Sequence, residues 1–349
     1  IPYSQGLNLG EYIRPQYDDA ESVYKSLIPQ IDEGLALIKA ADGTDRNITT
    51  IDIMYKGNAT NWAKFANTLK LRLLIHTSLT TTFDVNAEMA KINSEGSGFL
   101  GGGLCATVQP GYTPDKPNPY YNAHFYSIAG VENDNYNRAN NFSLNLMKDL
   151  GDNRYKRFYR ETKSLPGQWR GTDYGQSPDD DVNSDRTSGP GYGITANASA
   201  PMWIMSSVEA MFLRAEATAR GWISGDAETA YRDAVKESFT SLGIGSEADA
   251  YLSSVSTRVA WPASGLNDQI AVIMWQKYFA LNGIQANETY NDYRRLGIVQ
   301  PPLSVFNQVG SNKIPGRLLY PQSEYDYNTD NVTAQGTINA QTAKVFWDK

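Results

Sequence analysis

The stretch NWAKFANTLKLRLLIHTS, Asn61–Ser78, decides the fold class. Trp62, Phe65, Ala66, Leu69 and Leu73 fall at offsets of three, four, seven and eleven, which is one stripe of an α-helix with a period near 3.6. Lys64, Lys70 and Arg72 lie off that stripe. Taken alone the stretch is a packing signal and carries no chemistry.

Working outward, the same logic recurs on both sides. Upstream, Asp18-x-x-Glu21 has the spacing of a capping box and opens a helix whose face is Tyr24, Leu27, Ile28, Ile31, Leu35 and Ile38. Pro29 inside this face predicts a kink or a fresh start. ADGTDRN (41–47) reads as a loop, and Gly57-Asn58 marks a turn before the Trp62 helix. Two amphipathic helices joined this way make an antiparallel pair over 17–80. Downstream, a short helix is expected near Phe142, with Leu146, Met147 and Leu150 in its stripe and Gly151 ending it. Ser206 or Ser207 caps VEAMFLRAEATARGW, with Val208, Met211, Phe212, Ala215 and Ala219 on one face and Gly221 as terminator. AETAYRDAVKESFTSLG (227–243) repeats the pattern through Tyr231, Ala234, Val235, Ser238 and Phe239. NDQIAVIMWQKYFALNG (267–283) is apolar almost all round, so it is expected to be central. The W-x2-[LF]-[GA]-x2-[LY] spacing at Trp62, and small residues at facing positions, suit tetratricopeptide-like (TPR-like) helix pairing.

Between the helical parts the periodicity fails. SEGSGFLGGGL (94–104), YTPDKPNPYYN (112–122) and most of 161–201 are dense in Gly, Pro and polar residues and read as loops. The expected organisation is a single mainly α domain over 1–349. It comprises a helix pair at 17–80, an irregular aromatic-rich region at 81–202, helices at 203–297 and a loop-rich end at 298–349. Irregular tracts of this length inside a compact domain are functional surfaces or disorder, and the aromatics favour the former.

Composition narrows the function. The 349 residues carry a net charge of -7 and no Lys/Arg run, which argues against a nucleic-acid groove. Cys105 is the only cysteine, so no intrachain disulfide forms, and His76 and His124 are the only histidines, so a three-histidine metal site is excluded. No apolar run approaches the roughly 20 residues of a membrane-spanning helix. The chain starts at Ile1 without a signal or transit segment, so the sequence is expected to be processed, cut or incomplete at its start. The 22 tyrosines fit equally a surface for amphipathic ligands or a tyrosine-rich helical core.

No P-loop, G-x-G-x-x-G, H-E-x-x-H or G-x-S-x-G is present. His124 sits among aromatics in YYNAHFYS, which suits packing or stacking better than a catalytic triad. Glu209 and Glu216 share a helix face and are expected to cap or to pair with Arg214 or Arg220. Asp179, Asp180, Asp181 and Asp185 could hold Ca²⁺ through oxygen, as could Asn133, Asp134 and Asn135. The spacing matches no calcium loop, and a solvated acidic surface is the preferred reading, with no cofactor required. The stronger candidates are aromatic. Tyr112, Tyr120, Tyr121, Tyr136, Trp169, Tyr174 and Tyr192 could stack on the C–H faces of sugar rings. Asn118, Asn122, Asn133, Asp134, Arg170 and Asp173 could meet the hydroxyls. Against this, ordered loops also pack on their own rings.

Blocks spread over the chain resemble the SusD/RagB family: IPYSQ at the start, YDDAESVYKSLIPQIDEGL (17–35), NWAKFANTLKLRLL (61–74), VEAMFLRAEATARGW (208–222), AYRDAVKESF (230–239), IAVIMWQKYFALNGIQANETYNDYRRLG (270–297) and IPGRLLYPQSEYDYNTDNV (314–332). The resemblance implies TPR-like helix pairs as scaffold with an irregular, loop-rich insertion holding the ligand. It implies a non-catalytic, lipid-anchored protein on the surface of the outer membrane, which captures oligosaccharide for a TonB-dependent, SusC-like transporter. Ile1 corresponds to a point well inside the family's chain. The lipid-bearing cysteine and first helices are therefore expected outside this sequence, with apolar surface exposed on the first helix pair. Asp152-Asn153-Arg154 stands where the family often has D-P-R. The loops at 95–200 match least, so the site residues rest on chemistry alone. From the residues themselves, a glycoside hydrolase or lyase and a protein-binding helical scaffold stay open.

Overall fold

In a computed structural model, residues 1–8, 10–41, 47–134, 136–263, 265–306 and 313–349 are described. Residues 42–46 of the expected loop and Asn135 lie outside that set. The fold is mainly helical. Ala20–Ala40 packs on Ala59–His76, and Ser207–Ala219 packs on Ala227–Ser241. Leu266–Ala280 lies against both helices of the second pair, and Ala286–Leu296 bridges it to Ala59–His76. The two pairs share apolar packing, because Leu213 and Ala217 join Ile28, Leu71, Leu74, Ile75, Met89 and Ile92 in one cluster.

The Ala59–His76 helix is more deeply set than its stripe predicts. Its most buried residues are Ala63, Asn67, Thr68, Lys70, Leu71, Leu74, Ile75 and His76. Trp62, Phe65 and Leu69 are only half-buried, over a separate patch with Tyr55, Leu100, Ala106, Met205 and Ala210. The helix is covered on several sides, so a single apolar stripe understates what it buries. Lys70, off the stripe, is wholly inside, with Nζ 2.6 Å from Asp32 and 3.4 Å from Glu88. A buried ammonium persists only when paired in this way.

Several helix ends follow the expected chemistry. Asn58 accepts from Asn61 N and Ser206 from Glu209 N, each satisfying a free first-turn donor. The first helix starts one residue later than the capping-box spacing predicts. Asp19 is the cap, accepting from Ser22 N, while Asp18 instead accepts from Tyr3 N and Ser4 N. Pro29 neither ends nor restarts this helix, which runs unbroken from Ala20 to Ala40.

The region between the pairs is less irregular than its Gly/Pro content predicts. Val85–Glu95 is a helix, capped by Asp84 and closed by Gly96 at φ +86°. It buries only Met89 and Ile92, too few for periodicity to reveal. Pro119–His124 is a second helix, with Pro at its first turn where no donor is missed. Ala106–Val108 pairs antiparallel with Met202–Met205, tying the region's end back near its start.

Candidate functional site

The loop-rich region and the C-terminal segment form a cleft of about 480 Å³. One wall is the helix Asn141–Asp149, which turns Leu144 and Met147 into the core. Asn141, Asn145 and Asp149 line the cleft at intervals of four, so they form one polar face of that helix. Phe142 and Leu146 contribute apolar surface beside them. The facing wall is the strap carrying Asp173 and Tyr174, closed by Pro302, Leu303 and Val305. Backbone hydrogen bonds hold strap and helix together: Asn141 N donates to Thr172 O at 2.9 Å and Val305 N to Tyr174 O at 2.8 Å. Asn141 Nδ2 also donates to Asp173 Oδ1 at 2.8 Å. The Tyr174 ring is 61% exposed, free to lie against a ligand.

A second group of rings surrounds the Pro119–His124 helix. Tyr121 stacks on Phe125 with centroids 5.3 Å apart, and Tyr192 lies 5.0 Å from Phe125 on its other flank. Phe125 is fully buried and Tyr192 is 45% exposed, so the group is an aromatic ledge with one wet edge. Asn122 and Asn133 are exposed here, with Asn133 Nδ2 donating to Asn122 O.

Of the expected site residues, then, Asp173 and Tyr174 enter the cleft, and Tyr121, Tyr192, Asn122 and Asn133 gather at the ledge. The others divide differently. Asn118 is buried and caps the short helix through Tyr120 N and Tyr121 N, while its amide donates to Ala200 O. Its polar atoms are engaged in holding the loop at the edge of a small cavity that Tyr120 also lines. Asp134 is likewise buried: His124 Nδ1 lies 2.6 Å away, and Tyr136 N, Asn137 N and Asn137 Nδ2 donate to it. Burial pushes its carboxyl up, but these bonds outweigh that and hold it at about 2. Trp169 donates to Tyr159 O at 3.0 Å and meets Tyr155 edge-on at 5.5 Å, so it packs the loop. Tyr120, against His124, lines a small cavity with Trp203, and burial lifts its hydroxyl to about 12. Tyr112 is half-buried, its N–H donating to Gln109. Arg170 pairs its backbone with Ser188. Tyr136 is almost fully exposed.

The carboxylates weighed as catalytic or metal-binding are engaged too. Glu216 pairs with Arg220 as expected, and also with Arg295. Glu209 pairs with Arg72 rather than Arg214 or Arg220. In the acidic loop, Asp179 accepts from Asp181 N and Val182 N, and Asp181 and Asp185 face Arg186 and Lys163. Among the described residues no three His, Cys, Asp or Glu side chains are placed to hold a metal ion.

The sequence matches a family described as SusD-like, starch-binding and associating with the outer membrane, over residues 1–321. This chain belongs to the SusD-like family. Solved structures agree. A SusD homologue from Bacteroides uniformis ATCC 8492 superposes with a TM-score of 0.80 at 25% identity, over 100% of this chain and 77% of that one. A chitin-binding SusD homologue from Flavobacterium johnsoniae gives 0.80 at 25% identity, over 100% and 76%. One from Bacteroides fragilis NCTC 9343 shares the fold at 0.77 and 24% identity, over 100% and 79%. None of the curated proteins matches the chain.

In this SusD-like chain the cleft draws on residues that the aromatic count passes over. Asn141, Asn145 and Asp149 carried a readable signal, a polar stripe at four-residue spacing opposite Leu144 and Met147. Pro302, Leu303 and Val305 carried none, because only the tertiary fold brings them to Tyr174.

Proposed function

We propose that this chain is a non-catalytic binding protein of the outer membrane, lipid-anchored on the cell surface, that captures oligosaccharide and delivers it to a TonB-dependent, SusC-like transporter. The observation that carries the reading is the cleft between Asn141–Asp149 and Tyr174. It offers the apolar faces of Phe142 and Tyr174 to sugar C–H groups, and three amides (Asn140, Asn141, Asn145) and two carboxylates to the hydroxyls. The SusD-like family and the chitin-binding homologue support a glycan as ligand. The Cys105 sulfur is engaged by Ser207 N and Oγ inside the fold.

Asp149 and Asp173 facing one cleft are also the minimum a glycoside hydrolase needs. Affinity electrophoresis over a polysaccharide panel, with a reducing-end assay on the same samples, separates the two. Retention without release of reducing ends is expected, and Tyr174→Ala should weaken retention by about five- to tenfold, the worth of one stacked ring. Release of reducing ends would establish the hydrolase instead. Co-purification with a TonB-dependent transporter from outer membranes tests delivery.

A further inference from the structure

Two guanidinium groups meet beside the aromatic ledge. Arg160 follows the helical turn Tyr155–Phe158 and donates its N–H to Gly189 O at 2.9 Å. Ala139, next to Arg138, donates its N–H to Ser188 O at 2.8 Å. Two straps distant in sequence thus place their arginines on either side of one glycine. A methyl group on the Gly189 Cα would sit 2.5 Å from Arg138 Nη1 and 3.0 Å from Arg160 Nη2. Only a residue without a side chain leaves the two tips this close.

The carboxylates nearby neutralise this pair only in part, through Glu132 on Arg160. Glu132 is shared between Arg160 at 3.1 Å and Lys163 at 2.6 Å, and Asp185 lies 3.6 Å from Lys163. Asp134 is occupied by His124 and its own loop, and offers Arg138 only its backbone oxygen, 3.0 Å from Nη2. Among the described residues no carboxylate is within ion-pair distance of Arg138, and its Nε is buried without a partner. The Arg160 guanidinium lies 5.2 Å from the Phe125 ring, which ties the pair to the ledge and its wet edge at Tyr192. Burial lowers the affinity of Arg138 for its proton and the neighbouring Arg160 adds to that, while the charges of Asp134, Glu132 and Asp185 act the other way.

We propose that the glycan captured by this chain is acidic, and that Arg138 and Arg160 receive its anionic group while the sugar ring lies against Tyr192. The proposal rests on the glycan-binding reading, extends the ligand from the Tyr174 cleft to the ledge that Ala139 joins to it through Thr172 and Ser188, and adds the class of sugar. A guanidinium pair presents parallel N–H donors that match the oxygens of a carboxylate or a sulfate ester, which a hydroxyl cannot equal. The arrangement also explains why two like charges converge over a glycine while the nearest paired carboxylate, Glu132, is shared with Lys163.

Affinity electrophoresis and calorimetry with oligogalacturonate, a sulfated galactan and soluble starch test it. The wild-type protein should bind one of the two acidic glycans at least tenfold more tightly than starch, less so as salt rises. Which of the two it prefers identifies the anion as carboxylate or sulfate. Arg138→Gln should lose at least tenfold on that glycan. Gly189→Ala, whose new methyl displaces only the ends of two flexible side chains, should lose several-fold with an unchanged melting temperature. That second variant guards against misfolding of the first. Binding of starch with no preference for either acidic glycan would overturn the inference and leave the glycan-binding reading intact. So would acidic binding that both variants leave unaltered. Failure to bind any glycan on a broad panel would overturn both.

Discussion

Glu216 lies wholly inside the scaffold, between Arg295 at 2.6 and 2.8 Å and Arg220 at 2.8 Å. Burial alone would raise its carboxyl, but the two guanidiniums and Lys277 outweigh that and hold it at about 2, against an ordinary 4.5. The folded state therefore binds this proton later than the unfolded chain on acidification. The stabilisation is complete above about pH 4.5 and is lost as pH falls towards 2. At about 1.4 kcal/mol per pKa unit it is on the order of 3 kcal/mol. Glu216→Gln should flatten that part of the stability–pH curve in urea titrations between pH 2 and 5. At neutral pH it should cost about 3–5 kcal/mol, because Arg295 then stays buried with one of its carboxylates gone. Unchanged acid sensitivity in the variant would place the titrating group elsewhere.

Among the elements, the strap that carries Asp173 and Tyr174 is held against the start of the Asn141–Asp149 helix by a close approach at Gly171. A methyl group there would lie 2.8 Å from Ala139 O and 2.9 Å from Asn141 N, both backbone atoms that cannot swing aside. Gly171→Ala should therefore lift the strap, costing about 1–3 kcal/mol in denaturant unfolding. It should also weaken glycan retention, although Gly171 touches no ligand. Retention at the wild-type level would mean that the cleft is not the binding site. Sequence shows why such elements are harder to read than the scaffold. The Ser207–Ala219 and Ala227–Ser241 helices announce themselves by period and caps, with Ser206 and Asp226 accepting first-turn N–H groups as their side chains allow. Val85–Glu95 buries two residues and shows no period, and Pro119–His124 hides behind the prolines that begin it. Ring count alone does not separate Trp169 and Tyr120, which rest on Tyr155 and His124, from the exposed Tyr174, because a ring that packs a loop has the same composition as one that binds a sugar. Their partners, Tyr155 and His124, are fixed by the fold.

At the scale of the molecule, periodicity located the helices but not the charges that join them. Arg72 and Glu209 are 137 positions apart and meet at 2.6 Å, and His76 lies 2.9 Å from Glu288. Glu209 is fully buried and pushed up by loss of solvent, so its ionisation depends on Arg72. Together with the shared packing of Leu71, Leu74, Leu213 and Ala217, the Arg72–Glu209 pair locks the first helix pair onto the second, and His76–Glu288 fastens it to the bridging Ala286–Leu296 helix. A scaffold linked by buried charge and common apolar contacts cannot lose one pair while the other keeps its core. Urea unfolding followed by tryptophan fluorescence, which reports seven tryptophans including Trp62 in the first pair and Trp275 in the helix packed on the second, should coincide with unfolding followed by far-ultraviolet circular dichroism. Arg72→Ala strands the Glu209 carboxylate and should lower stability by about 3–5 kcal/mol. If the pairs fold as one, that loss moves both probes together to lower urea. Two separated transitions, with only one shifted by the substitution, would show instead that the pairs are independent units and that the buried charges set their orientation without coupling their stability.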